Sequence, residues 1–212
     1  MSLRGNDLRE HILYAAKTVF LEMGFERASM DMVAARAQTS KRTLYAYFES
    51  KEKLYLAIIE LVREMSLRKL KTPGEYSDEP TEALVMFCGR FQEGLLFAWT
   101  IRMCRMSIAE AERFPEGAAR YFDVIFTAPQ ERLSSYLRET FGLSETASVE
   151  AAQKLLGRIM YPSFPRAMFG LEAMSEELGE TTGADFDLGP IRQAVTELIA
   201  SLEGSAANQR AA

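Results

Sequence analysis

Residues 29–53 have the spacing of two short helices joined by a tight turn. The turn, residues 38–40, is Gln-Thr-Ser, and it is followed by a second helix of only about seven residues. Leu44 and Phe48 lie four residues apart, so both side chains face inward from that helix. Ser50 then offers a capping hydroxyl to a longer helix. The sequence therefore predicts a helix-turn-helix whose second helix keeps one face outward.

Helical periodicity also dominates the remainder of the chain. Apolar residues recur at three- and four-residue spacing from Ile12 to Met23, and Gly24 ends that pattern. Two prolines and a glycine mark 72–80 as a linker, and six acidic residues without a basic one mark 171–187 as an acidic loop. Helices are expected at about 50–71, 81–98, 100–112, 116–141, 144–169 and 190–202, with breaks near Pro129, Pro162 and Pro165. Phe20, Val33, Leu44 and Leu54 should share one core.

Charge is distributed unevenly between the two parts of the chain. The net charge of the 212 residues is −5. Residues 1–53 nevertheless carry nine Lys and Arg against seven Asp and Glu, so the excess of acidic residues lies in the remainder. This asymmetry is weak by itself, but it has the sign expected when only the N-terminal part meets a polyanion.

Several classes of protein are disfavoured by composition. No run of apolar residues is long enough to span a membrane, and the N-terminus lacks an apolar leader, so a cytoplasmic protein without a membrane partner is expected. Cys88 and Cys104 lie sixteen residues apart and should be buried thiols. With a single histidine besides, the sequence predicts no metal site, no cofactor and no enzyme activity.

The outward face of the second short helix is rich in hydroxyl groups and cations. Such groups at the front of a helix suit phosphate oxygens and base edges of DNA. Lys51 lies in the first turn of the next helix, where a bound phosphate would offset its unfavourable interaction with the helix dipole. A solvated lysine pair, Lys51 and Lys53, balanced by Glu52, is the alternative interpretation. The outward residues are Thr39, Ser40, Lys41, Arg42, Thr43, Tyr45 and Tyr47.

The run from Ile12 to Leu54, ILYAAKTVFLEMGFERASMDMVAARAQTSKRTLYAYFESKEKL, resembles the DNA-binding domain of the TetR family of bacterial transcription regulators. It departs from the family at Gln38, where glycine is usual, and at Arg42, where a small residue is frequent. If position 38 needs a positive φ, Gln38 carries strain of about 1 kcal/mol. The resemblance implies phosphate contacts by Ser29, Thr43, Tyr47 and Lys51, and base contacts by Lys41, Arg42 and Tyr45.

The same resemblance implies an all-α homodimer, in which a three-helix DNA-binding domain precedes a helical bundle for ligand binding and dimerisation. We place these domains at residues 1–53 and 54–204, with a flexible tail at 205–212. The expected function is that of a repressor, released from a palindromic double-stranded operator by a small hydrophobic effector.

Large, soft apolar side chains crowd the central helices and are the candidate lining of an effector pocket. They are Phe91, Trp99, Met103, Met106, Phe122, Phe126, Met160 and Phe164. Side chains of this kind at helical spacing also make ordinary cores, so two alternatives stay open. One is a DNA-binding protein without an effector, and the other is a carrier or enzyme for apolar ligands.

Overall fold

The structure is a computed structural model that describes residues 5–179 and 187–211, with the backbone alone for 205–211. The described residues are almost entirely helical, and their only β pairing is an isolated bridge between Phe97 and Ser175. The helices are α1 (Asn6–Arg27), α2 (Met30–Arg36), α3 (Lys41–Tyr47), α4 (Lys51–Lys69), α5 (Pro80–Leu96), α6 (Ala98–Ala109), α7 (Pro115–Phe122), α8 (Ala128–Phe141), α9 (Glu145–Met160), α10 (Ser163–Met168) and α11 (Gly189–Ala211). The all-α prediction is confirmed.

Glycine and serine residues set several of the helix boundaries in the N-terminal region. Gly24 adopts φ 75° and ψ 161°, which interrupts α1 where the sequence predicted its end. Ser29 and Ser40 cap α2 and α3, and each side chain accepts a hydrogen bond from a backbone N–H of the first turn. Gln38, in the turn between them, has φ 49°, so a residue with a Cβ occupies the left-handed region.

The chain folds into two compact units, and neither of them is continuous in sequence. The first unit comprises the chain up to Met65 together with Arg102–Val124, and the second comprises Ser66–Ile101 and the chain from Ile125 onward. The predicted core of the first unit is present, since Phe20, Val33, Leu44 and Leu54 are all at most 1% exposed.

The second unit is a bundle in which α9 packs against α8 and α11, and α5 packs against α9 and α11. Arg132 on α8 donates hydrogen bonds to the carbonyls of Leu67 and Leu70, so it satisfies acceptors at the C-terminal end of α4. Arg90 is 5% exposed and pairs with Glu93 at 3.1 Å. None of the described helices combines the length and apolar character needed to cross a membrane.

The helix predicted at 116–141 is present as α7 and α8, which are joined without interruption by a π-helical stretch at Asp123–Thr127. Pro129 causes the difference, because it lacks an N–H and its ring crowds the carbonyl four residues earlier. The irregular turn therefore precedes Pro129, whereas the sequence predicted a kink at the proline itself.

Two other boundaries differ from the sequence-based prediction. The linker at 72–80 contains a 3₁₀ turn, Pro73–Glu75, held by a capping box between Thr72 and Glu75. The last helix runs to Ala211, well beyond the predicted end near residue 202. Of the predicted acidic loop, residues 180–186 lie outside the described residues, as does Ala212 of the predicted tail. The flexibility of that tail stays a prediction.

Candidate nucleic-acid interface

Hydroxyl groups stand at the N-terminal ends of both helices of the helix-turn-helix. The Ser29 Oγ accepts from the Met32 N–H at 3.2 Å, and the Ser40 Oγ accepts from the Thr43 N–H at 3.0 Å. The Ser40 and Thr43 hydroxyls lie 2.7 Å apart, so one donates to the other. Because the Ser29 and Ser40 oxygens act as acceptors in the caps, their hydroxyl protons are not needed there. The Ser29 proton can therefore be donated to an anion, as can whichever hydroxyl proton of Ser40 or Thr43 is not used between those two residues.

Exposed cations and phenols follow along α3. Arg42 is exposed, and its guanidinium forms no hydrogen bond or ion pair with any residue that the structure describes. Tyr45 is 42% exposed, and Thr39 is half-buried in the turn before the helix. Lys41 differs, because its ammonium lies 2.8 Å from the carboxylate of Asp31, which raises the pKa of Lys41. Recruiting Lys41 to a base edge would therefore require breaking an exposed ion pair.

The start of α1 lies beside the end of α3. The Tyr47 hydroxyl donates to the Gly5 carbonyl at 3.3 Å, and the Arg9 guanidinium lies 5.4 Å from the centre of the Phe48 ring. Tyr47 is half-buried and Arg9 is exposed. Arg9 is thus a cation next to the helix-turn-helix that the sequence analysis did not single out, since its distance from α3 along the chain hides the contact.

Lys51 makes contacts within the protein that the sequence did not predict. Its ammonium donates to the carbonyls of Phe25, Glu26 and Ala28 at 2.8, 3.1 and 3.1 Å. It also lies 4.6 Å from the centre of the Phe25 ring. Because an ammonium has three N–H donors, these three carbonyls use all of them. Lys51 thus fastens α4 to the last residues of α1 and to Ala28, which argues against the alternative of a freely solvated lysine. Its contact with a DNA phosphate stays a prediction.

The eight candidate effector residues are divided between the two units. Phe91, Trp99, Phe126, Met160 and Phe164 belong to the second unit, where the rings of Phe126 and Phe164 meet edge to face at 5.7 Å. The other three belong to the first unit. Of these, Met103 and Met106 are buried, and Phe122 is 58% exposed. Such exposure is poorly suited to the wall of an enclosed apolar pocket, so Phe122 fits the predicted lining least well.

A surface groove of about 550 Å³ in the second unit has a different character from the predicted pocket. It contains none of the eight candidate residues and is lined largely by polar side chains, among them Thr72, Glu131, Arg132, Ser135 and Tyr136. The two cysteines are buried, as predicted, and burial raises the pKa of the Cys104 thiol to about 12 and that of Cys88 further still. Thiols this far from ionisation are poor nucleophiles.

Two family models match this chain. The model described as bacterial regulatory proteins, tetR family, matches residues 12–58. The model described as AefR-like transcriptional repressor, C-terminal domain, matches residues 82–182. The residues matched by the first model include the helix-turn-helix, and those matched by the second include most of the central helices.

Curated relatives resemble only part of the chain. The transcriptional activator FasR of Mycolicibacterium smegmatis is 45% identical over 62 residues, which are 27% of this chain and 28% of FasR. The transcriptional regulator UidR of Escherichia coli K12 is 36% identical over 88 residues, which are 40% of this chain and 45% of UidR. The chain therefore aligns with less than half the length of each of these relatives.

Solved structures resemble the chain over almost its whole length. The flavonoid-responsive regulator FrrA superposes with a TM-score of 0.73 at 26% identity, covering 95% of this chain and 97% of FrrA. A TetR family transcriptional regulator from Pseudomonas syringae has a TM-score of 0.66 at 22% identity, with coverage of 93% and 97%. At that lower identity the likeness concerns the fold alone.

Proposed function

Because the chain belongs to the TetR family of DNA-binding transcription regulators, we propose that it is a repressor that leaves its operator when a small apolar effector binds. In this proposal the protein binds a palindromic duplex as a homodimer, with one helix-turn-helix on each half-site. The name of the C-terminal family model, which is that of a repressor, supports the sign of the regulation. FasR, by contrast, is named an activator, so activation of transcription is the alternative to repression.

The single observation that carries the proposal is the chemistry of the outward face of α2 and α3. Ser29, Ser40 and Thr43 place hydroxyl groups at two helix N-termini, where phosphates bind favourably. Arg42 and Tyr45 are exposed on α3, and neither forms a hydrogen bond or ion pair with a residue that the structure describes. We assign phosphate contacts to Ser29, Thr39, Ser40 and Thr43, and also to Tyr47 and Lys51 once each gives up a hydrogen bond to a backbone carbonyl. We assign base contacts to Arg42 and Tyr45, with Lys41 joining them once its pair with Asp31 opens.

Replacing Arg42 with alanine is expected to relax the preference for one base position by about 1–3 kcal/mol, because a guanidinium in the major groove distinguishes guanine from other bases. The measurement is competition between the duplex that the wild-type protein selects from a random-sequence pool and its single-base variants. An unchanged ranking of those variants would remove Arg42 from the base-reading residues.

Tyr47→Phe is the matched control for Arg42→Ala. It deletes one hydroxyl from the same helix and should weaken every duplex alike, by about 0.5–1.5 kcal/mol, since a phosphate contact carries no sequence information. The two variants thus separate contacts that position the protein from contacts that read the operator.

The homodimer is supported by the last helix of the second unit. Along α11, Ile191, Ala194 and Val195 are buried within the chain, whereas Leu198 and Ile199 are only half-buried. Half-exposed aliphatic side chains on a helix of 23 residues provide an apolar strip that a second copy can cover. We assign the interface to α9 and α11, which with their symmetry mates make a four-helix arrangement.

An apolar effector is supported by the side chains of the central helices and by the likeness to FrrA, which is described as flavonoid-responsive. Phe91 and Met103 are buried, and Trp99, Phe126, Met160 and Phe164 are half-buried. Aromatic and methionine side chains adapt to varied apolar ligands. We therefore take flavonoids as the first probes to be tested.

Binding of an effector is expected to change the emission of Trp99, the only tryptophan, and to lower affinity for the selected duplex over the same range of concentrations. Thermodynamic reciprocity requires that the duplex weaken effector binding by the same factor. Titration of the protein with a panel of flavonoids, with and without the duplex, measures both quantities. Compounds that shift the fluorescence but never the duplex affinity would favour the alternative, a DNA-binding protein with no effector.

A further inference from the structure

Four aromatic side chains form a continuous cluster inside the first unit. Phe25 stacks on Phe20 with ring centres 5.6 Å apart and on Phe114 with ring centres 5.9 Å apart. Tyr55 meets the edge of Phe25 at 5.2 Å and contacts Phe114 at 6.0 Å. Three of these residues come from α1 and α4, whereas Phe114 lies some sixty residues further along, at the residue that precedes α7. Phe25 thus stacks on two rings, and one of them, Phe114, lies outside the helices of the DNA-binding region.

Helix α7 approaches the Phe114 ring closely at Gly117. A Cβ added to Gly117 would lie 2.7 Å from two carbons of the Phe114 ring and 3.0 Å from a carbon of the Tyr55 ring. These distances are far below van der Waals contact, so only a glycine lets α7 approach the ring this closely. Tyr55 is held as well, because its hydroxyl lies 2.8 Å from the buried hydroxyl of Ser107 on α6.

Phe25 also contacts Lys51, the residue that holds the segment just before α2. The Lys51 ammonium rests over its ring and donates to the carbonyls of Phe25, Glu26 and Ala28. Ala28 immediately precedes Ser29, the capping residue of α2. The placement of the Phe25 ring therefore sets where Lys51 holds this segment, and the segment in turn sets where the Ser29 hydroxyl points.

We propose that Phe114 is a positioning residue for DNA binding: packed against Gly117, its ring holds Phe25, and through Phe25 and Lys51 it aims Ser29 and the start of α2. The inference rests on the proposed function, in which Ser29 contacts a phosphate. It adds to that function a residue that lies far from α2 and α3 in the sequence. The exposed pair between Arg113 and Glu26, at 3.5 Å, joins the same two parts of the chain at the surface.

The test inserts one methyl group next to the ring and leaves the DNA-binding surface unchanged. Gly117→Ala is expected to lower affinity for the selected duplex about tenfold, measured by fluorescence anisotropy with a labelled duplex. Gly94→Ala is the matched control, because it makes the same change within a helix where nothing lies within 4 Å of the new Cβ. It should alter the affinity less than twofold. Circular dichroism at the temperature of the binding measurement establishes that both variants are folded.

A double-mutant cycle separates positioning from general loss of structure. If Phe114 acts through Ser29, Gly117→Ala should cost about tenfold in the wild-type background but less than threefold in a Ser29→Ala background. An equal loss in both backgrounds, or a Gly117→Ala protein that binds within twofold of wild type, overturns the proposal. If Gly117→Ala does not fold, Phe114→Leu, which removes the ring without adding an atom near α7, is judged by the same two criteria.

Failure of the inference can be distinguished from failure of the assigned DNA contacts. If Ser29→Ala and Arg42→Ala each weaken binding while Gly117→Ala does not, only the role of Phe114 is lost. If neither Ser29→Ala nor Arg42→Ala changes the affinity or the ranking of duplexes, the contacts themselves are wrongly assigned, and the role of Phe114 falls with them.

Discussion

Replacing Lys51 with methionine is expected to lower the free energy of unfolding by about 2–3 kcal/mol. Methionine keeps much of the aliphatic stem but leaves the carbonyls of Phe25, Glu26 and Ala28 without their charged donor. Hydrogen bonds to a charged group contribute more than neutral ones, and two partly buried acceptors, the carbonyls of Phe25 and Ala28, lose their partner. In a domain of this size the melting temperature should fall by roughly 4–12 °C, which differential scanning calorimetry measures.

Lys53 provides the control within the same helical turn. Its side chain is exposed and makes no hydrogen bond or ion pair with any part of the chain that the structure describes. Lys53→Met should therefore change the unfolding free energy by less than about 0.5 kcal/mol. A Lys51→Met protein with wild-type stability and a salt dependence of DNA binding reduced by one phosphate contact would instead show that the main role of Lys51 is to contact a phosphate.

Changing both Leu198 and Ile199 to glutamate is expected to dissociate the proposed homodimer and to lower operator affinity at least a hundredfold. Two added carboxylates would be buried without partners in the proposed interface, at a cost of several kcal/mol. A monomer then binds each half-site separately and loses the advantage of linked binding. Multi-angle light scattering gives the mass, and anisotropy with the selected duplex gives the affinity.

Thr196 and Ala200 are exposed on the same helix, one turn apart. Thr196→Glu combined with Ala200→Glu adds the same charge and should leave the dimer intact. Dissociation by this control pair, with a stable dimer in the Leu198 and Ile199 variant, would move the interface to the other side of α11.

Local features of the DNA-binding region could be predicted from the sequence because each depends on neighbouring residues. A serine before a helix supplies a cap, as at Ser29 and Ser40. A glycine after a periodic pattern ends a helix, as at Gly24. Gln38 was identified as a strained position only through comparison with a family in which glycine is usual, and its φ of 49° confirms that inference.

What could not be predicted depends on contacts between residues distant in the chain. The carbonyl contacts of Lys51 could not be predicted because its partners lie twenty-three to twenty-six positions earlier, and no short-range pattern relates an ammonium to those carbonyls. The π-helical stretch at Asp123–Thr127 was missed because periodicity alone does not register one extra residue in a turn. Nothing in the local sequence of Phe114 indicates that its ring reaches Phe25.

The discontinuity of the first unit, which takes in Arg102–Val124 as well as the N-terminal helices, bears on how proteins of this kind can exchange parts. A hybrid regulator that joined the first 65 residues of this chain to the body of a relative would place a foreign segment against Phe25 and Tyr55. The relative would need a ring where Phe114 stands and a glycine where Gly117 stands, or the borrowed helices would lose their packing. Recombination should therefore succeed when residues 102–124 are transferred together with the DNA-binding helices. The unit that can be exchanged between relatives is thus defined by which residues pack together, and it is not one continuous stretch of sequence.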